Sequence, residues 1–141
     1  MSHYRKMLEE AMLTAVGTIT VQVTDQDKAL EFYTQKLGFE KRADMPMGPD
    51  HRWIEVAPPG AQTRILLYKA TPDAPGADSY EVAQAKIGKS TGMVFEVDDI
   101  EATFALLKSK GVLIIDEPQK QSYGWWGVFA DQDGNTYGVH K

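Results

Sequence analysis

Apolar and polar residues alternate through Thr18-Ile19-Thr20-Val21-Gln22-Val23-Thr24, the period-two signature of a half-buried strand. At Asp25 the pattern breaks. Asp27 to Lys36 then takes on a helical period behind an Asp25 cap, and Leu37-Gly38-Phe39 returns the chain to extended form. Strands follow near 39–45, 51–57 and 63–69, with Pro58-Pro59-Gly60 as a hairpin turn. From Met93 to Ile114 the same design recurs: Val97-Asp98-Asp99 answers Val23-Thr24-Asp25, and Gly111 takes the part of Gly38. The second copy predicts a strand over Gly92 to Val97 and a helix over Ile100 to Lys110, capped by Asp98 or Asp99. Strands near 112–117, 123–130 and 135–140 complete it, with Asp133-Gly134-Asn135 in the last hairpin turn.

Between the copies, residues 70–90 are rich in Pro, Ala, Gly and Asp and read as a connection with a short helix across Tyr80 to Lys86. Ahead of the first copy, Tyr4, Met7, Leu8 and Leu13 recur at helical spacing, so an amphipathic helix is expected over 3–14 within the segment 1–15. Its apolar stripe needs a partner surface. The expected architecture is α+β: two tandem βαβββ units, 17–69 and 91–140, forming a cupped mixed sheet in a single domain over 1–141, with the extra N-terminal helix.

A chain of 141 residues can bury roughly 68 to 70% of the surface its unfolded form exposes, enough for a real core. Its composition, 43% hydrophobic and 25% charged, is that of a soluble globular protein, with no apolar run of membrane-spanning length. Glu9 and Glu10 fall where a signal peptide would be apolar, and there is no cysteine for disulfides or thiolate ligands. A cytoplasmic protein is the expectation. A net charge of −5 and no basic patch argue against nucleic acid as a partner. Neither a G-x-x-x-x-G-K nor a G-x-G-x-x-G occurs, and no Ser-His-Asp arrangement is evident.

Two βαβββ units, "DQDKALEFYTQKLGF" in the first and "FADQDGNTYGVHK" closing the second, resemble the vicinal-oxygen-chelate superfamily. That group holds glyoxalase I, extradiol dioxygenases, fosfomycin-resistance enzymes and bleomycin-binding resistance proteins. The resemblance covers about residues 17–140 and includes the turn Asp131-Gln132-Asp133-Gly134-Asn135, which is similar to a family D-P-D-G-N turn. It implies that each unit's sheet curls round a cup, that the site lies inside, and that the chain forms a homodimer.

In metal-dependent members of such a family, four side chains, typically His, Gln or Glu, reach into the cup from the first and last strands of each unit. Matching the motifs places these positions at Thr18, Leu66, Gly92 and Gly138. Glycine and leucine offer no donor atom, and a neutral threonine hydroxyl is a poor anchor alone. Shifting the register by one brings in Ile19, Ile65, Leu67, Met93, Tyr137 and Val139, which are mostly apolar. No metal and no other cofactor is therefore expected. A site from Glu55, Glu96 and His140 is chemically suitable, but nothing in the spacing brings the three together.

Alternation turns Thr18, Thr20 and Gln22, then Arg64, Leu66 and Tyr68, toward the cup. The second unit similarly presents Gly92, Val94 and Glu96, with Thr136, Gly138 and His140, and "RWIEVA" presents Trp53 and Glu55. The candidate ligand-binding residues are Gln22, Trp53, Glu55, Arg64, Tyr68, Glu96, Trp125, Trp126 and His140. Tyr123, Met45 and Met47 would add apolar surface round the opening. Adjacent Trp125 and Trp126 must face opposite sides, so one of them belongs to the core or a dimer contact. Glu96 needs a partner if buried, and Arg64 or a cationic ligand would serve; at the rim, solvent suffices. His140 is equally readable as an exposed terminal side chain, His51 as a loop histidine, and His3 as part of a loose end.

These features favour a metal-free binding module resembling the bleomycin-resistance type, holding a small aromatic or cationic compound. The alternative is a lyase, isomerase or dioxygenase-like enzyme using an unusual metal or acid/base groups such as Glu96, Glu55 and His140. A third reading is an interaction domain whose cup is filled by its own side chains.

Overall fold

The computed structural model describes residues 2–141. Helix α1, Ser2–Ala11, is amphipathic but contributes no buried residue, and Tyr4, Met7 and Leu8 stay exposed. The repeat begins with strand β1, Thr18–Gln22. Helix α2, Gln26–Glu31, starts at Asp25, whose extended backbone and side chain accepting from the Lys28 N–H form an N-cap. In the second unit Asp99, rather than Asp98, caps helix α4, Ile100–Ser109, accepting from the Ala102 N–H.

The helix expected to run unbroken to Lys36 instead widens into a π turn over Phe32–Lys36. Thr34 Oγ1 donates to the Leu30 carbonyl at 2.7 Å, competing with the regular ladder for that acceptor. Phe32 and Tyr33, neighbours in the chain, are both buried. Strands β2 (Glu40–Pro46), β3 (Arg52–Ala57) and β4 (Arg64–Tyr68) follow, then helix α3, Tyr80–Lys86, in the connection. The second unit supplies β5 (Ser90–Glu96), β6 (Leu113–Gln121), β7 (Gly124–Ala130) and β8 (Thr136–His140).

The expected strand near 112–117 runs on to Gln121. Pro118 argues for an earlier stop, yet β6 lies at the sheet's edge, where a missing N–H donor is tolerated, and its register shifts on either side of Asp116.

Both sheets have four strands and one plan, β1-β4-β3-β2 and β5-β8-β7-β6. The first strand of each unit pairs parallel with the last, and the others are antiparallel. The faces bearing the helices share one core. Val21, Ile54, Val56 and Leu67 from the first unit pack in a single cluster with Phe104, Phe129, Tyr137 and Val139 from the second. Burying each such side chain is worth about 1.5–3 kcal/mol. The inner faces of the sheets point away from this shared core.

A polar seam also joins the units. Tyr33 donates to Asp131 Oδ2 at 2.5 Å and lies 2.6 Å from the Tyr137 hydroxyl, so Tyr137 must donate to Tyr33. Asn135 donates both to the Gln22 carbonyl and to Asp131, while its own carbonyl accepts the Gly88 N–H. The Asp131 carboxylate thus receives Tyr33, the Asn135 side chain, and the Asp133 and Asn135 N–H groups. Burial raises its pKa against the opposing pull of those donors. Burial likewise pushes both tyrosines well above the ordinary phenol range, so they remain neutral donors.

Candidate functional site

A cavity of about 480 Å³ opens on the inner face of the first sheet. Alternation along β1 turns Thr20 and Gln22 into it while Val21 and Val23 enter the core. The same rule on β3 and β4 brings in Trp53, Leu66 and Tyr68. The roof is the connection. Ser79 caps α3 by accepting from the Val82 N–H, and Ala83 packs with Leu66, Tyr68 and Ala70 as a second apolar cluster, flanked by Trp53 and Tyr80.

Tyr68 is held at both ends. Its hydroxyl donates to the Ala74 carbonyl at 2.8 Å and accepts from His51 Nε2 at 3.0 Å. Its ring lies under Gly76, where an added Cβ would come 3.1 Å from it and where φ is +83°. A side chain there would be strained twice, by the backbone and by the ring. The aromatic wall and the strap above it are therefore one preorganised unit.

Among the expected site residues, Gln22, Trp53 and Tyr68 converge on this cavity. Glu55 and Arg64 lie elsewhere on the same face and hold each other: Arg64 Nε is 3.2 Å from Glu55 Oε1, and Thr18 Oγ1 donates to Glu55 Oε2 at 3.2 Å. Arg64 is thus not the partner of Glu96. That carboxylate is exposed and takes His140 Nδ1 at 3.1 Å, while His140 Nε2 meets the Tyr123 carbonyl at 3.1 Å. The parallel register of β5 and β8, which sets Glu96 opposite His140, explains the pairing. With acceptors at both nitrogens, His140 is pushed above its ordinary pKa, first by the Tyr123 carbonyl and then by Glu96.

Trp126 shares this second inner face, its ring covering Gly138, where any Cβ would clash. Trp125 turns the other way and packs on the core. Glu96, Trp126 and His140 therefore form a second group on another sheet, and Tyr123, Met45 and Met47 are exposed away from the cavity's lining. The residues that sequence reasoning missed come mostly from the connection: Asp78, Lys86, Lys89, Ser90 and Thr91 also line the cavity, as does Asn135. The Ser79 cap and the short helix were the available signals, but only the folded strap shows that they roof the first sheet.

The four positions where a metal centre would be built do not fit one. Thr18 Oγ1 is engaged with Glu55, Leu66 is an apolar wall, and Gly92 and Gly138 carry no donor. Among the described residues, no three His, Cys, Asp or Glu side chains come together as a metal cluster. The Glu55, Glu96 and His140 set is divided between the two sheets.

Paired mixed sheets of this order, each a βαβββ unit, define the α+β class to which the sequence pattern pointed. Residues 15–139 match the family model of the Glyoxalase/Bleomycin resistance protein/Dioxygenase superfamily, and the chain belongs to that superfamily. It is 40% identical over 126 residues to the YetH protein of Bacillus subtilis (strain 168), covering 89% of this chain and 97% of that one. Among solved structures it resembles a superfamily member from Sphaerobacter thermophilus DSM 20745, with TM-score 0.79, 34% identity, and 92% and 98% of the two chains covered. It also resembles TnmS3, an antibiotic binding protein from Streptomyces sp. CB03234, with TM-score 0.73, 34% identity, and 91% and 95% covered. Helix α1 lies outside the matched family region.

Proposed function

We propose that this protein binds a small, partly aromatic molecule in the roofed cup of its first unit, without a metal, in a sequestering or resistance role. The observation that carries the reading is the cavity itself: about 480 Å³, within the range of small-molecule sites, walled by Trp53 and Tyr68 with a few free polar groups. The similarity to an antibiotic binding protein supports it. Catalysis has little to work with there, because the one imidazole–carboxylate pair among the described residues, His140 and Glu96, stands on the other sheet.

The working unit in this proposal is a pair of chains. The second sheet's inner face leaves Val94, Leu113 and Ile115 uncovered, and α1 offers Tyr4, Met7 and Leu8 with nothing buried beneath them. Exposed apolar surface on two elements of one chain fits a self-complementary contact. A thermal-shift panel tests the binding reading: flat aromatic compounds should raise the Tm of the full chain, and divalent cations should not. A rise with one divalent cation and with no aromatic compound would refute it.

A further inference from the structure

The polar inventory of the cavity narrows the class of occupant. Several lining groups are already used. The Asn135 amide makes all three of its contacts within the protein, the Tyr68 hydroxyl is engaged twice, and Thr91 Oγ1 donates to the Thr136 carbonyl. Ser90 Oγ accepts from the Gly92 N–H, which leaves its O–H to give. Thr20 and the Gln22 amide make no side-chain hydrogen bond among the described residues, so three side chains of the lining have donors to spare.

Charge points the same way. Asp78, the cavity's one carboxylate, is neutralised by Lys86 at 2.6 Å. Lys89, three residues on and also lining the cavity, has no acidic partner within ion-pair distance among the described residues. The chain carries −5 overall, yet this one recess presents net positive charge and unused donors. A cationic ligand would meet Lys89 uncompensated; an anionic one would be balanced by it.

Resting on the binding function proposed above, we infer that the occupant is a flat aromatic molecule with an anionic edge, a carboxylate or phenolate, directed at Lys89, Gln22 and Ser90. Of the small aromatic or cationic compound that the sequence suggests, this keeps the aromatic part and replaces the cation by an anion.

Three probes sharing one ring system test it by calorimetric titration of the full chain at low salt: naphthalene-2-carboxylate, neutral naphthalene-2-carboxamide and the naphthalen-2-ylmethylammonium ion. The carboxylate should bind tightest and the ammonium weakest. Because Lys89 is exposed, the carboxylate's advantage over the amide should be about threefold to fivefold, shrinking as salt is raised. Lys89→Gln, at an exposed position, should bring the carboxylate's affinity down to that of the amide. Equal binding of all three, tighter binding of the ammonium, or an undiminished carboxylate preference in Lys89→Gln would overturn the inference while leaving a binding cavity in place. Failure of all three to bind would instead overturn the binding function on which it rests.

Discussion

Replacing Asn135 by alanine tests the seam that joins the two units and backs the cavity. Asn135 is 2% exposed and bridges three segments. Its Nδ2 reaches the Gln22 carbonyl at 3.1 Å and Asp131 Oδ2 at 2.9 Å, and its Oδ1 takes the Gly88 N–H at 2.8 Å. Truncation orphans a carbonyl of the first unit and an N–H of the connection, and removes one donor from a buried carboxylate. Gln22 lines the cavity and Gly88 is exposed, so both neutral groups can recover water and each costs about 1 kcal/mol or less, while the bond to Asp131 is worth about 1.5–3 kcal/mol. The sum is about 1.5–5 kcal/mol. For a chain of this size that is a fall in Tm of roughly 10 °C. Calorimetry on Asn135→Ala measures it directly. Asn135→Asp provides the sharper contrast, because it keeps the shape but turns the donors into an acceptor facing both the Gln22 carbonyl and Asp131. It should be less stable than the alanine variant at pH 7 and regain part of the loss on acidification, as the carboxyl pair takes up a proton. A loss under about 1 kcal/mol in Asn135→Ala, or an aspartate variant as stable as wild type at pH 7, would refute the seam's role.

Further outcomes follow from other contacts. An alanine Cβ at Gly127 would sit 2.6 Å from the Phe104 ring, so Gly127→Ala should cost about 1–3 kcal/mol in urea unfolding, and adding Phe104→Leu should restore part of it. His140 has a raised folded pKa, so its contribution to stability is fully present below the unfolded value of about 6.5 and is lost as pH rises through the folded value. A proton NMR titration should place His140 above the ordinary histidine range in wild type and lower in Glu96→Gln; a midpoint at or below the ordinary value in wild type would count against the pairing. Removing residues 2–14 takes away no buried side chain of α1, so the remainder should fold, but light scattering should find it more monomeric than the full chain; an unchanged mass would assign the dimer contact elsewhere.

Much of this fold was legible because the two units announce themselves by period. Alternation along Thr18–Thr24 and Gly92–Val97, an acidic cap, a helical stretch and a glycine gave the elements in order, and the short helix over Tyr80–Lys86 lies where the pattern placed it. Local chemistry hid two details: the hydroxyl of Thr34 that accompanies the π turn, and an edge position that excuses Pro118. The site was legible by face but not by convergence. Alternation turns Trp53, Tyr68 and Glu96 inward and sets Trp125 and Trp126 on opposite faces without telling which is which, yet it is silent on which inward faces meet. Because the helix-bearing faces share one core, the inner faces of the two sheets do not close on each other within one chain, and Glu96 finds His140 through strand register rather than Arg64 across a cup. The roof of the cavity, with Lys86 and Lys89, comes from a segment whose composition marks it only as a connection.

Native mass spectrometry of the protein, purified gently from its own cells without chelator, tests the central claim most directly. The account predicts a mass above that of the protein alone by a non-metal organic molecule, lost on denaturation and not retained by a Trp53→Ala variant. A mass excess equal to one transition-metal ion per site, with no organic molecule, would contradict it.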